Sequence, residues 1–171
     1  MARIVAERLT GVPQESYVNS AMQHGIDTEP EARSAYCFYH DVDVEEVGIV
    51  FHPRIKGTHA SPDGLVGESG LIEIKCPNTA THIDTLFSQA VPDKYVLQML
   101  WQMTCTGRAW CDFVSYDPRM PEDLRMFVRR VHRDDKRISE LEVLVMTFLS
   151  EVSEKIAALT ALTAPKQAEA A

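Results

Sequence analysis

The stretch 71–76, with the sequence LIEIKC, constrains the fold of this chain more than any other part of it. Apolar and charged residues alternate there with the two-residue period of a β-strand. Such a strand would bury Ile72 and Ile74 and direct Glu73 and Lys75 to the opposite face. The sequence therefore predicts a strand on which a carboxylate and an ammonium group share one surface.

A second acidic residue, Asp63, precedes this strand in the sequence Ser-Pro-Asp-Gly. If the chain folds into a hairpin with position 63 opposite position 73, Asp63 and Glu73 share a face, because directly opposed residues do. That pairing leaves residues 67–69 as a three-residue loop, and we expect Gly67 and Gly70 to supply its positive φ angles. Two neighbouring carboxylates repel unless a cation lies between them, and oxygen ligands suit Mg²⁺ or Mn²⁺. The hairpin therefore predicts a metal site beside a lysine.

Each of these features also has an ordinary structural interpretation. Pro-Asp-Gly is a common turn sequence, and Glu-x-Lys on a strand is a common solvent-exposed pair. Their combination at this spacing, with Cys-Pro ending the strand, favours the metal site. His59 lies on the strand expected before Asp63 and could bind a ligand or move a proton, but a single histidine on a strand usually does neither.

The same residues resemble a known family of nucleases. The sequences SPDG at 61–64 and GLIEIKCP at 70–77 resemble the PD-(D/E)xK nucleases and, more closely, the phage lambda exonuclease or YqaJ-type viral recombinase family. The resemblance spans roughly residues 10–160. It includes further motifs in the same order along the chain: Gly25-x-x-x-Glu29-x-x-Ala32-Arg33, Tyr95-x-x-Gln98 and Tyr116-Asp117-Pro118-Arg119-Met120.

The resemblance implies which residues form the catalytic site. Asp63, Glu73 and the backbone carbonyl of Ile74 would hold one or two Mg²⁺ ions, with Mn²⁺ as an alternative. Lys75 would stabilise the attacking hydroxide or the developing charge. We expect orientation and electrostatics from Lys75 rather than proton abstraction, because an ammonium group is not a base unless its pKa is lowered.

Two further site residues depend on the resemblance alone. It assigns Glu29 as a helix-borne acid beside the metal, and Gln98 as the residue that orients a water molecule or Lys75. Without it, Glu29 would be an ordinary acid in the first turn of a helix. Gln98 and Gln102 would then be a polar pair on one helix face.

The resemblance also implies an activity and partners. Members of the family degrade one strand of linear double-stranded DNA from its 5' end, leave a 3' tail for a single-strand annealing protein, and form a trimeric ring around DNA. We therefore expect a metal-dependent 5'-to-3' exonuclease and a homotrimer. Family members begin with a further segment that receives the 5' phosphate, and we expect that segment to be absent here.

Two other functions remain open. The chain could be a truncated prophage remnant that has kept the metal site and acts as a DNA-end-binding or interaction module. Tight DNA binding without cleavage would identify such a module. It could also be a metal-dependent endonuclease of the same superfamily, which would cut closed circular DNA.

The net charge of −8 is unfavourable for a protein that holds a polyanion through bulk attraction. The charge is uneven, however, because basic residues concentrate in the region 119–137 while the region 27–46 is acidic. In a ring, only the lining of the channel needs to be basic. A solvated helix start or a subunit interface would explain the basic cluster equally well. The candidate phosphate contacts are Arg119, Arg129, Arg130, Arg133 and Arg137.

The cysteines and the N-terminus limit the protein class. Four cysteines show neither a CxxC pair nor zinc-like spacing, so we expect reduced, mostly buried thiols. Their scatter argues against the relatives of this nuclease group that carry an iron-sulfur cluster. The chain has neither a run of about 18 apolar residues nor a signal pattern at its start, so we expect a cytoplasmic protein.

The pattern of apolar residues predicts an α/β fold with a restriction-endonuclease-like mixed sheet flanked by helices. Pro30 predicts a kink or a restart near Thr28 in the second helix. We expect Asn78 or Thr79 to cap the third helix and Asp93 to cap the fourth. The predicted domain is 1–162, followed by a frayed alanine-rich tail at 163–171. The predicted helices are 3–10, 16–39, 79–87, 93–106 and 134–162, and the predicted strands are 44–51, 57–66, 71–77, 110–116 and 124–131.

Overall fold

The computed structural model describes residues 1–14 and 19–163. The chain divides into two compact units, Val18–Ser139 and a second unit made of Met1–Tyr17 and Glu140–Ala171. Within the described residues, no helix is both long and apolar enough to cross a membrane. Of the predicted tail 163–171, Thr163 is the last residue of the final helix, and 164–171 lie outside the described residues.

Helices and strands follow one another in the order predicted from the sequence, with two of the predicted strands divided. The helices are α1 (Ala2–Thr10), α2 (Ser20–His40), α3 (Thr79–Ser88), α4 (Asp93–Thr106) and α5 (Asp135–Thr163). The strands are β1 (Val44–Glu45), β2 (Val50–Phe51), β3 (His59–Ala60), β4 (Gly64–Val66), β5 (Gly70–Lys75), β6 (Trp110–Tyr116) and β7 (Met126–His132).

Five strands form one mixed sheet in the order β1-β4-β5-β6-β7, with helices on both sides. Strands β5 and β6 are parallel, because α3 and α4 connect them, and the other neighbours are antiparallel. β2 and β3 pair separately as a two-stranded sheet. This mixed sheet flanked by helices confirms the predicted fold class.

The isoleucines and Glu73 lie on opposite faces of β5, as predicted, and both faces are covered. Ile72 and Ile74 pack against Tyr36 of α2 on one side of the sheet. Leu71 packs on the other side, against Met99 and Met103 of α4. Glu73 lies on the same side as Leu71 and is also fully buried, so it does not lie on a solvent-exposed face. The two-residue alternation could not show that a second helix covers the charged side.

The second helix is one continuous element in the structure. The predicted start at 16–18 lies outside the described residues, and the side chain of Asn19 caps the helix by accepting from Met22 N at 2.9 Å. α2 then continues through Pro30 without a restart at Thr28. We attribute this to tertiary packing, since Ala32 and Tyr36 in the following turns are fully buried.

Two predicted strands are each divided in the structure. The predicted strand 44–51 becomes β1 and β2, which belong to different sheets, and 57–66 becomes β3 and β4. Gly48 weakens the first, and Pro62 lacks the N–H group that a continuous ladder requires. Ile49 and Phe51, in the second half of the first segment, are exposed.

The predicted helix caps have different outcomes. Asn78 caps α3, since its side chain accepts from Thr81 N at 2.9 Å. Asp93 is the first residue of α4 rather than its cap, which is Pro92 without a side-chain hydrogen bond. α4 ends as predicted at Gly107, which has a left-handed conformation with φ 74°.

Glycines at the β4–β5 hairpin have two different roles. Gly67 has the expected positive φ, 52°, but Gly70 does not have a positive φ. A Cβ atom at Gly70 would instead overlap the indole ring of Trp110. Gly70 is therefore required for close packing between β5 and β6.

We expect Gly70→Ala to lower the free energy of unfolding by about 1–3 kcal/mol, the usual effect of overpacking. Chemical denaturation of both proteins would measure the difference. Gly48→Ala is the matched control, because a Cβ atom at Gly48 meets nothing within 4 Å. Equal stabilities of the two variants would contradict the steric role of Gly70.

Candidate active site

The β4–β5 hairpin brings Asp63 close to Glu73, whose charge acts on the Asp63 carboxyl. Gly64 pairs with Ile72 and Val66 with Gly70, and Asp63 directly precedes these paired residues. The pairing leaves residues 67–69 as the connecting loop. Asp63 is also fixed locally, because its Oδ2 accepts a hydrogen bond from Ile74 N at 2.6 Å.

Arg108 holds the closed end of this hairpin. Its Nη1 donates to the carbonyl oxygens of Gly67 at 2.7 Å, Gly70 at 2.8 Å and Val66 at 3.3 Å. A guanidinium group suits this position because it presents several N–H donors in a fixed geometry. The register that brings the two acids together is thus supported from both ends of the hairpin.

Glu73 is a buried carboxylate with two polar neighbours. Its Oε1 forms an ion pair with Lys75 Nζ. Its Oε2 accepts a hydrogen bond from Gln102 Nε2 at 2.5 Å. The Lys75 ammonium also lies 5.3 Å from the centre of the Tyr95 ring, within the range of a cation–π interaction.

Gln98 is not brought to these residues. Its side chain is exposed, whereas Gln102, one helical turn later, is buried and contacts Glu73. The sequence pattern predicts Gln102 only as a surface partner of Gln98. The useful signal was its position beside Met99 and Met103, since a polar residue in a buried row of a helix needs a polar partner.

The two acids and the lysine strongly affect one another. Burial, followed by the negative charge of Glu73, raises the pKa of Asp63 to about 7. Burial by itself would lower the pKa of Lys75, but the charge and hydrogen bond of Glu73 and the charge of Asp63 raise it above its ordinary value. Lys75 is therefore an ammonium group at neutral pH.

Glu29 lies beside the site and is connected to it by Arg33. Arg33 Nη2 donates to Glu29 Oε1 at 2.6 Å, and Arg33 Nε donates to the Asp63 carbonyl oxygen at 3.1 Å. Arg33 Nη1 also lies 3.1 Å from Glu46 Oε1. The negative charge of Glu29 contributes to the raised pKa of Asp63. The structure thus brings this predicted residue close to the hairpin acids.

A groove of about 480 Å³ opens beside Lys75 and the end of β5. Glu29 and Lys75 supply charged groups to its lining, and Met22, Ile26 and Tyr95 supply apolar surface. Met22 and Ile26 are exposed. The groove therefore gives a substrate access to the charged residues from outside.

The residues at the site fit a divalent cation. Among residues 1–14 and 19–163, no group of three or more His, Cys, Asp and Glu side chains is arranged as a metal site. Asp63 and Glu73 are nevertheless two neighbouring carboxylates, and burial together with the charge of Glu73 raises the pKa of Asp63. A cation between them would remove the repulsive part of that effect. The candidate donor set would be the two carboxylates with the Ile74 carbonyl oxygen, which suits Mg²⁺ or Mn²⁺.

The five predicted DNA-contacting arginines do not form one surface. Arg129 and Arg130 are consecutive on β7 and therefore point to opposite faces of the sheet. Arg130 binds both oxygens of Asp112, at 2.8 and 2.9 Å, and lies 3.5 Å from the centre of the Trp110 ring. Arg129 Nη2 donates to the Gln89 carbonyl oxygen at 2.9 Å.

Two other members of the set also pair with acids. Arg119 binds Asp117 at 2.7 and 3.0 Å, and Arg133 binds Asp135 at 2.7 Å. Arg137 is exposed on α5. Clustering in the sequence did not reveal these ion pairs, because the arginines alternate across β7 and have acidic neighbours.

Asp117, from the Tyr-Asp-Pro-Arg-Met motif, is a fully buried acid. Its Oδ2 accepts from Thr79 Oγ1 at 2.6 Å, which joins the end of β6 to the start of α3. Burial tends to raise the pKa of Asp117, but hydrogen bonds from Arg119 and Thr79 lower it to about 2. The motif thus fixes the chain just after Lys75, since Arg119 also donates to the Pro77 carbonyl oxygen at 3.3 Å.

The surroundings of His59, His82 and the four cysteines indicate structural roles. The His59 side chain is exposed, and its carbonyl oxygen accepts from Trp101 Nε1 at 3.0 Å. His82, which sequence analysis missed, is fully buried between Ser115 Oγ and the Leu124 carbonyl oxygen, each at 2.8 Å. All four cysteines are free, as expected, and three are buried.

The chain is similar to several known proteins. A sequence model of the YqaJ-like viral recombinase domain matches residues 2–109. An alkaline exonuclease from Laribacter hongkongensis, LHK-Exo, is 49% identical with a TM-score of 0.91, over 95% of this chain and 82% of that chain. Its complex with dAMP gives 50% identity and the same TM-score, over 95% and 83% of the two chains.

A third structure shows the fold alone. A phage-related exonuclease from Haemophilus somnus 129PT is 16% identical with a TM-score of 0.76, over 92% of this chain and 81% of that chain. A search of curated protein sequences gives no match. The family match covers more than half of the chain, and LHK-Exo is similar along nearly all of it. The chain therefore belongs to the YqaJ-like viral recombinase family, as an alkaline exonuclease-like nuclease.

Proposed function

We propose that this nuclease is a metal-dependent exonuclease that degrades one strand of linear double-stranded DNA in the 5'-to-3' direction and leaves a 3' single-stranded tail. The observation that carries the metal-dependent chemistry is the proximity of the Asp63 and Glu73 carboxylates, with the Lys75 ammonium paired to Glu73. The similarity to LHK-Exo, an alkaline exonuclease, supports an exonuclease. The polarity and the 3' tail rest on the family resemblance.

Each residue at the site would have a distinct task in phosphodiester hydrolysis. Asp63, Glu73 and the Ile74 carbonyl oxygen would hold Mg²⁺ or Mn²⁺, which when bound activates water and neutralises charge on the phosphate. Lys75 would place a fixed positive charge next to the attacked phosphate. Its raised pKa supports a charge-stabilising role over that of a base.

Glu29 and Gln98 would act at the edges of the site. Glu29, held by Arg33, would add negative charge on the side of the groove formed by α2. Gln98 is exposed on α4, the helix that also carries Tyr95 of the groove, so its proposed role is contact with bound DNA or a water molecule. Linear double-stranded DNA, a single-strand annealing protein and a homotrimer are the proposed partners, on the family resemblance. The arginine set remains a proposed DNA contact, with Arg137 the exposed member on α5.

The proposal predicts that linear duplex DNA disappears in Mg²⁺ and persists in EDTA. Glu73→Ala is expected to reduce the rate by about 10³-fold or more, because it removes a charged ligand of the cation. The measurement is digestion of duplexes labelled at either end, with a 5' phosphate or a 5' hydroxyl, by the wild-type protein and the variant. Release of nucleotides from the 5' end, with a surviving 3' tail, would support the stated polarity.

Other outcomes would replace the proposal. Cutting of closed circular DNA would indicate an endonuclease of the same superfamily. Tight binding of DNA ends without cleavage, by a folded protein that binds Mn²⁺, would indicate a binding module. Glu68→Ala, in the exposed loop of the same hairpin, is the control for loss of an acidic residue and should cleave at the wild-type rate.

A further inference from the structure

We propose that Gln102 is a positioning residue that orients the Glu73 carboxylate for the divalent cation. The proposal rests on the proposed metal-dependent function and adds a residue to it. Gln102 is 2% exposed and Glu73 is 0% exposed, so neither side chain can exchange this contact for water. Their hydrogen bond of 2.5 Å therefore determines where the carboxylate points.

The two ends of the Gln102 amide have different neighbours, which defines its orientation. The amide nitrogen donates to Glu73 Oε2, and Cys111 Sγ lies 3.9 Å from the amide oxygen, which can accept from the thiol. Cys111 is fully buried on β6, next to Leu71 of β5. A flipped amide would place its oxygen against a carboxylate oxygen, which is repulsive. The network thus presents an N–H donor to Glu73.

This contact gives the two carboxylate oxygens of Glu73 different partners. Glu73 Oε2 is engaged by Gln102, whereas Oε1 is paired with the Lys75 ammonium. With Oε2 held, the carboxylate cannot rotate freely about its last bond. Oε1 is consequently kept in place for the cation, as outer-shell partners do for the ligands of other metal sites.

Gln23 provides a matched comparison outside the site. It is an exposed glutamine of α2 whose amide nitrogen donates to Asp27 Oδ1 at 2.8 Å. The same substitution at either position makes the same chemical change. Only the one at Gln102 is expected to disturb Glu73.

The test compares Gln102→Met with Gln23→Met in the full-length chain. Methionine is close to glutamine in length and shape but donates no hydrogen bond. The primary measurement is the dissociation constant of Mn²⁺ without DNA, by electron paramagnetic resonance of the free ion, below the melting temperature of each variant. We expect Gln102→Met to weaken Mn²⁺ binding about 10- to 100-fold and Gln23→Met to leave it within about twofold.

Kinetic constants and melting temperatures separate the possible results. Gln102→Met should lower kcat on linear DNA while the KM for DNA stays close to the wild-type value, because the groove is unchanged. A purely structural role would lower the melting temperature in EDTA but leave the Mn²⁺ affinity of the folded protein unaltered, which would overturn the inference.

If Gln102→Met does not fold, Gln102→Asn carries the same expectation, because it keeps an amide but is too short to reach Glu73. Failure of the wild-type protein to bind Mn²⁺ would instead reject the proposed function itself.

Discussion

Replacing Asp63 by asparagine is expected to abolish DNA cleavage and to make the metal-free protein more stable at pH 8. Asparagine keeps an oxygen that can accept from Ile74 N, so the local hydrogen bond survives. It removes one of two neighbouring carboxylates, however, and with it a ligand of the proposed cation. Cleavage should fall by about 10³-fold or more, since charge stabilisation is usually the largest catalytic contribution.

The gain in stability follows from the raised pKa of Asp63. In the unfolded chain this carboxyl loses its proton near pH 4, whereas burial and the charge of Glu73 raise its pKa to about 7 in the folded protein. Between these values the folded state binds more protons, so its free energy of unfolding decreases as pH rises. The favourable contribution is complete below pH 4 and is lost above pH 7.

Thermal and urea unfolding in EDTA at pH 5.5 and pH 8 would measure this effect. We expect Asp63→Asn to be more stable than the wild-type protein at pH 8 by on the order of 2 kcal/mol, with a smaller difference at pH 5.5. Glu68→Gln, in the exposed loop of the same hairpin, should show no such pH-dependent gain. A less stable Asp63→Asn protein at pH 8 would show that the two carboxylates do not repel each other in the folded state.

Replacing Asp112 by alanine is expected to cause the largest loss of stability among the substitutions considered. Asp112 is 3% exposed, and it accepts hydrogen bonds from Tyr36 Oη at 2.8 Å and from Arg130 at 2.8 and 2.9 Å. Alanine would leave the buried tyrosine hydroxyl without an acceptor and Arg130 without its counter-ion. Breaking a fully buried pair typically costs about 3–5 kcal/mol, and because the Arg130 side chain is 45% exposed we expect a loss of about 2–4 kcal/mol here.

Denaturant unfolding of Asp112→Ala and of Tyr36→Phe would test this network. Tyr36→Phe removes one donor and leaves the ion pair, so it should cost only about 1 kcal/mol. The two carboxylates at the hairpin are not part of the network, so folded Asp112→Ala should still bind Mn²⁺. A loss below 1 kcal/mol would mean that solvent reaches Asp112 and that the pair is exposed in solution.

Arg130 belongs to this network and is also a candidate DNA contact. Its guanidinium is held by Asp112 and by the Trp110 ring, so Arg130→Met should reduce stability by an amount comparable to that of Asp112→Ala. If Arg130 also contacts phosphate, the substitution will lower the salt dependence of DNA binding as well. Arg137, exposed on α5, offers the contrasting case in which stability should be unaffected.

The hairpin at the centre of the site was predictable because its determinants are local. The alternation in 71–76, the glycine at position 67 and the position of Asp63 together allow one register, since a slip by one residue would turn Ile72 and Ile74 outward. The bounds of β6, the helix end at Gly107 and the cap at Asn78 depend on neighbouring residues in the same way. These features identified both the fold class and the two neighbouring acids.

Tertiary structure alone decided the features that depend on distant parts of the chain. Packing of α4 over β5 buries Glu73 and selects Gln102 rather than Gln98 as its partner. The predicted strand 44–51 is divided because its two halves pair with different strands. Packing of Ala32 and Tyr36 stabilises α2 as a helix that continues past Pro30. Arginines that cluster in the sequence are separated by strand alternation and neutralised by acids such as Asp112. The sequence by itself thus determined the order of elements and the paired acids, whereas their burial and partners required the whole fold, because those contacts join residues far apart in the chain.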